Sequence, residues 1–249
     1  MTRRELADAL RPAAGAEAEI EARFLLEASR DEAWLRQAVA RRLKGEPLQY
    51  ILGEWEFMGL PFFVGPEALI PRQDTETLCE AALPWLRERP GARVLDLCCG
   101  TGCIGISLAK LGGARAAFAD ISPDALALTK RNAGLNGVDG DFYESDLLSN
   151  VPGVYDLIAC NPPYLTGAEM ADRQKELTFE PALALYGGED GLAFYRRLAA
   201  TWEKHAASGG LLLLEIGASQ GAAVQTLFPD ARILKDICGL DRVAWVERA

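Results

Sequence analysis

The chain has 249 residues, 49% of them hydrophobic and 25% charged, enough to build one large domain, or one of middling size with a small companion. Acidic groups outnumber basic ones, 36 to 26, and the excess holds on both sides of Thr75: 13 against 10 up to that residue and 23 against 16 after it. Such a balance disfavours non-specific binding to nucleic acid through phosphate neutralisation, and no low-complexity tract points to disorder.

The first residues, Met1-Thr2-Arg3-Arg4-Glu5, lead into a mixed charged and apolar pattern, and no later window is apolar for a membrane-spanning length. A cytoplasmic protein without membrane attachment is expected. Apolar residues recur at helical spacing in three stretches: Leu6, Ala9 and Leu10; Ile20, Phe24 and Leu25; and Trp34, Leu35, Ala38 and Val39. They predict a small helical bundle. Asp31 is placed to cap the third helix, and Gly45, just after Arg41, Arg42 and Lys44, is placed to stop it. Trp55-Glu56-Phe57-Met58 and Pro61-Phe62-Phe63-Val64 flank Gly59-Leu60 and read as a hairpin.

A helix is expected from Asp74 to about Arg89, and from there helical and strand patterns alternate to the end. Strands fall near residues 93–97, 115–119, 140–144, 155–160, 210–216, 231–237 and 243–247. The fold class is therefore α/β, a parallel-rich doubly wound sheet whose last two strands pair antiparallel at one edge. The division expected is a helical domain over 1–53, a hairpin linker over 54–73 and a sheet domain over 74–249.

Strand Val94-Leu95-Asp96-Leu97 runs through Cys98 and Cys99 into Gly100-Thr101-Gly102-Cys103-Ile104-Gly105 and a helix, a glycine-rich loop in strand-to-helix context. Asp120 ends the next strand, twenty residues beyond Gly100, and is placed to accept ribose hydroxyls. A nucleoside cofactor is implied, and NAD and S-adenosylmethionine both suit the pattern. A carboxylate at Asp96, near the loop, favours a cationic ligand over a pyrophosphate, and no evident histidine serves hydride transfer. Asp96 can equally be a loop-capping carboxylate. Beyond the next strand, Asp146 and Leu147 stand where an adenine would lie, Leu147 on its face and Asp146 at its edge or in a solvated turn. Six cysteines with no Cys-x-x-Cys, and one histidine far away at His205, leave no metal site.

Asn161-Pro162-Pro163-Tyr164 follows the apolar strand 155–160, where open α/β sheets place chemistry. The two prolines stiffen the backbone, so the Asn161 carboxamide and the Pro162 carbonyl are held as acceptors suited to a substrate NH2. Tyr164 is expected to pack on a flat carboxamide, with a weaker cation-π contribution to a sulfonium methyl.

With these segments, together with Gly45-Glu46-Pro47-Leu48-Gln49-Tyr50, Leu69-Ile70-Pro71-Arg72-Gln73-Asp74-Thr75-Glu76, Phe179-Glu180-Pro181, Leu213-Leu214-Glu215-Ile216-Gly217 and Asp241-Arg242-Val243, the chain resembles the release factor glutamine N5-methyltransferases. The resemblance implies a Rossmann-like class I methyltransferase sheet with helices on both faces, a small N-terminal helical domain and a β-hairpin between them. S-adenosylmethionine is the implied methyl donor, held by Asp96, Cys98, Cys99, Gly100, Thr101, Gly102, Asp120, Asp146, Leu147 and Asn161. Asn161, Pro162 and Tyr164 are the implied catalytic groups, and Pro163 and Arg72 join them in holding substrate. The implied substrate is the glutamine of the Gly-Gly-Gln motif in class-1 peptide chain release factors, with the enzyme a monomer. Arg72 either orients the substrate loop or forms an interdomain ion pair, and Glu180 is open in the same way. Cys98 and Cys99 stand where the family commonly has Gly and Thr, and Gln73 replaces a usual Pro; a Cβ at 98 calls for negative φ there. A nucleic-acid amino-methyltransferase can use the same tetrapeptide, and a dehydrogenase or a non-enzymatic nucleoside-binding scaffold are further rivals.

Overall fold

The computed structural model describes residues 1–249. Four helices come first: α1 (Arg3–Ala14), α2 (Ala18–Glu27), α3 (Glu32–Leu43) and α4 (Leu48–Leu52). The Thr2 hydroxyl accepts the Glu5 N–H while the Glu5 carboxylate accepts the Thr2 N–H, a capping box that starts α1. Asp31 caps α3 by accepting the Trp34 N–H at 2.7 Å, and Gly45 leaves the helix at φ +93°, both as the spacing predicts. Leu6, Leu10, Leu25, Leu35 and Ile51 meet in a core of their own. Ile20, expected in that core, is instead 48% exposed. The inward face of α2 runs through Ala18, Ala22 and Leu25, and Ile20 stands about 200° round the helix from Ala18.

The hairpin pairs β1 (Glu54–Phe57) with β2 (Leu60–Phe63). Met58 and Gly59 between them both have positive φ, +53° and +72°, the tight turn whose twist matches that of the strands. Phe57 and Phe62 meet edge to face and are buried in the main core. Phe63 turns its peptide group outward to Asn132, which accepts its N–H at 2.7 Å and donates to its carbonyl at 3.0 Å.

After α5 (Gln73–Arg87) the chain winds the large sheet: β3 (Arg93–Leu97), α6 (Cys103–Gly112), β4 (Arg115–Asp120), α7 (Pro123–Asn136), β5 (Gly140–Glu144) and β6 (Tyr155–Cys160). Then come α8 (Gly167–Ala171), α9 (Ala193–Ala199), β7 (Ala206–Glu215), α10 (Gly221–Leu227), β8 (Arg232–Lys235) and β9 (Asp241–Glu247). Strand order is β5-β4-β3-β6-β7-β9-β8. Pairing is parallel from β5 to β7, and β9 runs antiparallel between β7 and β8. The α/β Rossmann-like architecture and the antiparallel edge are those expected; β7 begins earlier, at Ala206.

Both faces of the sheet are covered. Val94, Phe118 and Leu157 point into one apolar layer, Leu95, Ala117 and Ile158 into the other, which is why these strands read as unbroken apolar runs. From β3 the chain winds outward to β4 and β5, then returns to β6 on the other side. The connections thus diverge at the C-terminal ends of β3 and β6, leaving a crevice there. The long connection 161–192 folds back on itself, Leu165 donating to the Leu185 carbonyl and Gly187 to the Leu165 carbonyl. A Cβ at Gly187 would lie 2.6 Å from the Tyr164 Cα, so only glycine allows the two backbones to meet.

Candidate active site

The crevice opens into a cavity floored by the loop after β3. The loop turns through left-handed backbone at Cys98, Gly100 and Gly102, with φ of +58°, +55° and +78°. Gly102 begins α6, and a Cβ there would come within 2.6 Å of Thr129. The negative φ expected at Cys98 is therefore corrected: a side chain occupies a conformation that favours glycine, at a cost of roughly 1–2 kcal/mol. Cys98, Cys99, Gly100 and Thr101 line the cavity.

Asp120 ties this loop to β4, its two oxygens accepting the N–H groups of Gly100 and Ser122, both at 2.9 Å. Burial raises its pKa, and these bonds pull it back down. Each carboxylate oxygen keeps a second lone pair, and the residue faces the cavity. Asp96 is placed differently. Wholly buried beneath the loop, it accepts the Gly105 N–H at 2.8 Å through one oxygen and leaves the other without a partner. It is absent from the cavity wall, as is Gly102, so the geometry matches the loop-capping alternative. Burial raises its carboxyl well above the usual carboxylate range, and the Gly105 N–H pulls it part of the way back.

Leu147, itself at φ +51°, forms an apolar wall with Ile121 and Phe194. Asp146 lies at the rim, paired with Arg197 at 2.8 Å. Across the cavity, Asn161 donates from Nδ2 to the Thr75 hydroxyl at 3.3 Å, and its Oδ1 accepts nothing from the protein. Pro163 also lines the space; Pro162 is buried behind it. Tyr164 is turned away from the wall, its ring against the core and its hydroxyl donating to Glu215 Oε1 at 3.4 Å. The expected stacking of Tyr164 on a substrate carboxamide is thus not the arrangement found.

Arg72 and Glu180 form an ion pair, and the second Glu180 oxygen accepts the Ile70 N–H at 3.0 Å. This brings Pro181, Leu183 and Ala184 over the cavity. Arg42 adds a second tie, donating to Glu21 within the helical region and to Glu176 at 3.0 Å. Arg72 and Pro71 also line a neighbouring groove with Phe24, Trp55 and Glu56. Thr75, Ile121, Phe194 and Arg197 were not foreseen as wall residues. Thr75 belongs to a segment already singled out and Ile121 follows Asp120; nothing in the sequence marks Phe194 or Arg197. The six cysteines are all free, and no helix is long and apolar enough to cross a membrane.

The donor set fits an adenosyl ligand: a carboxylate with spare lone pairs beside a glycine loop, next to the apolar wall of Ile121, Leu147 and Phe194. Residues 75–185 match the family model for the methyltransferase small domain, and residues 28–53 that for the PrmC N-terminal domain. A release factor glutamine methyltransferase of Geobacter sulfurreducens is 43% identical over 84% of this chain and 75% of its own length. One of Chlamydia trachomatis serovar L2 is 39% identical over 81% of this chain and 72% of its own length. The crystal structure of a methyltransferase from Pyrococcus furiosus shares the fold, with a TM-score of 0.60 at 16% identity over 77% of this chain and 89% of that one. With likeness of this extent along both the helical region and the sheet, the chain belongs to the release factor glutamine methyltransferase family.

Proposed function

We propose that the protein transfers a methyl group from S-adenosylmethionine to the side-chain amide nitrogen of the glutamine in the Gly-Gly-Gln motif of class-1 peptide chain release factors, giving N5-methylglutamine. The observation that carries this reading is Asn161: its NH2 is engaged by Thr75, so its carbonyl oxygen is left as a free acceptor at the cavity wall. A free acceptor suits a substrate that brings an NH2 group.

S-adenosylmethionine, when bound, supplies an electrophilic methyl group on a positively charged leaving group. Cys98, Cys99, Gly100 and Thr101 would hold it from below, Asp120 at the ribose, and Leu147, Ile121 and Phe194 around the base, with Asp146 at its edge. Asp96 and Gly102 act from beneath, by shaping the loop. Asn161 Oδ1 and the Pro162 carbonyl would each accept one N–H of the substrate carboxamide, and Pro163 would bound the site. Tyr164 holds the rear of the tetrapeptide through Glu215.

A carboxamide nitrogen is a poor nucleophile because its lone pair is delocalised, the resonance that gives an amide a rotational barrier of roughly 18–20 kcal/mol. Two hydrogen bonds of about 1–3 kcal/mol each cannot offset that, whereas near-attack positioning is worth about 7–11 kcal/mol. The rigid prolines and the fixed Asn161 therefore serve orientation first.

Helices within 1–53 and the hairpin within 54–73 would grip the protein substrate. The groove beside Trp55 and Phe24 supports this, since it shares Pro71 and Arg72 with the cavity. Donors of Arg72 not used by Glu180 would then meet the substrate backbone. The 74–249 portion would carry the transfer, acting as a monomer in the cytoplasm. The test is incubation with labelled S-adenosylmethionine and a release factor, followed by peptide mass measurement. Label is expected on the Gly-Gly-Gln glutamine and absent from a Gln→Ala factor; an unlabelled natural factor overturns the reading.

A further inference from the structure

Behind Asn161 lies a polar cluster that the transfer itself does not use. Thr75, 2% exposed, comes from the first turn of α5 and Glu215, 1% exposed, from the end of β7. The Thr75 hydroxyl accepts the Asn161 N–H and is close enough to the Glu215 carboxylate to favour its charged form. Tyr164 donates to Glu215 Oε1, and Oε2 is buried without a hydrogen-bond partner. The Thr75 hydroxyl, whose proton is uncommitted in the bond to Asn161, is the donor we assign to it.

A hydroxyl has one proton, and an ionised carboxylate only accepts. If Glu215 takes the Thr75 proton, Thr75 can offer Asn161 nothing but lone pairs. The Asn161 carboxamide must then present its NH2 to Thr75 and its oxygen to the cavity. We propose that Glu215 and Thr75 are positioning residues that fix which way the Asn161 carboxamide faces, and so make it an acceptor for the substrate NH2. Without them the carboxamide can reverse, setting NH2 against NH2.

The cluster also responds to protons. Burial is the main cause that pushes Glu215 up to about 7; Thr75, the charge of Arg242 and Tyr164 pull down, and Asp74 pushes up. Arg242 is held by Asp236 and Asp74. Cys79, Cys103 and Tyr195, the other ionisable groups facing Glu215, are raised by burial and stay neutral. A protonated Glu215 can donate to Thr75, which frees the Thr75 proton for Asn161 Oδ1 and favours the reversed carboxamide.

This inference rests on the methyltransferase reading above. The test measures single-turnover methylation of a release factor across about pH 6 to 9, with S-adenosylhomocysteine affinity and melting temperature for each variant. Thr75→Val keeps the shape without the hydroxyl and is expected to slow transfer about tenfold, with product affinity within about twofold. Thr75→Ser is expected to restore the rate to within about threefold. The wild-type rate should fall as pH drops through about 7, and Glu215→Gln should abolish that limb. A Thr75→Val enzyme as fast as wild type, or an acid limb that survives in Glu215→Gln, overturns the proposal. A wild-type enzyme that leaves the release factor unlabelled fails the broader reading, whereas normal labelling with an unaffected Thr75→Val variant fails this inference alone.

Discussion

Arg72 is bound to Glu180, a carboxylate only 1% exposed whose other oxygen holds the Ile70 N–H. The pair joins the backbone just before α5 to the segment that covers the cavity, so it is structural before it is anything else. Arg72→Ala leaves a buried carboxylate short of its cation. Because Arg72 is 36% exposed, water recovers part of the loss, and a destabilisation of about 2–3 kcal/mol is expected in urea unfolding. Cofactor affinity should weaken with it as Pro181 and Leu183 loosen. Unchanged stability in this variant would show that the tie carries no load.

Asn161→Ala removes the free acceptor while leaving the loop after β3 untouched. Transfer to the release factor is expected to fall about a hundredfold or more, with S-adenosylmethionine affinity within a few-fold by calorimetry. Near-normal turnover would remove Asn161 from the chemistry.

Cys98→Gly replaces a side chain held at φ +58° by the residue that adopts this conformation freely. Relief of the strain outweighs the extra entropy of a glycine in the unfolded chain, leaving a net gain of about 0.5–1 kcal/mol. A rise in the urea midpoint with an unchanged slope is the expected signature. A fall in the midpoint would mean that Cys98 contributes more by packing than its backbone costs.

Asp96 predicts a pH effect of definite sign. Burial raises its folded pKa above the ordinary 3.8, so the folded state keeps a proton that the unfolded chain gives up. Its stabilising contribution is complete below that ordinary value and is lost as pH rises through the folded one. Asp96→Asn does not titrate, and its oxygen can still accept the Gly105 N–H. The variant should melt close to wild type near pH 4 and increasingly above it towards pH 8. A difference that shrinks as pH rises contradicts the sign.

How much of this was legible before the fold was known depends on the range of the contacts. The strands, the Asp31 cap and the hairpin are written locally, in alternation and turn chemistry, although the hairpin turns at Met58-Gly59, one residue before the expected Gly59-Leu60. The glycine loop was readable because its strand and helix flank it directly. The sign of φ at Cys98 was not, since it depends on how Ala119 receives the Cys99 N–H from the next strand. Tyr164 was misread for a related reason: its partner, Glu215, lies on a distant strand. The cover over the cavity is irregular chain held by Arg42, Ile70 and Arg72, and no periodicity announces it.

Asn132 has one further consequence. Its carboxamide takes both polar groups of Phe63 and also donates to the Thr101 carbonyl at 2.9 Å, so a single side chain clamps the hairpin to the loop after β3. A displacement of the hairpin is therefore transmitted to the loop after β3 through α7, without flexing the linker. Hairpin and loop are thus one mechanical unit, in which a shift of either is carried to the other by a single buried carboxamide.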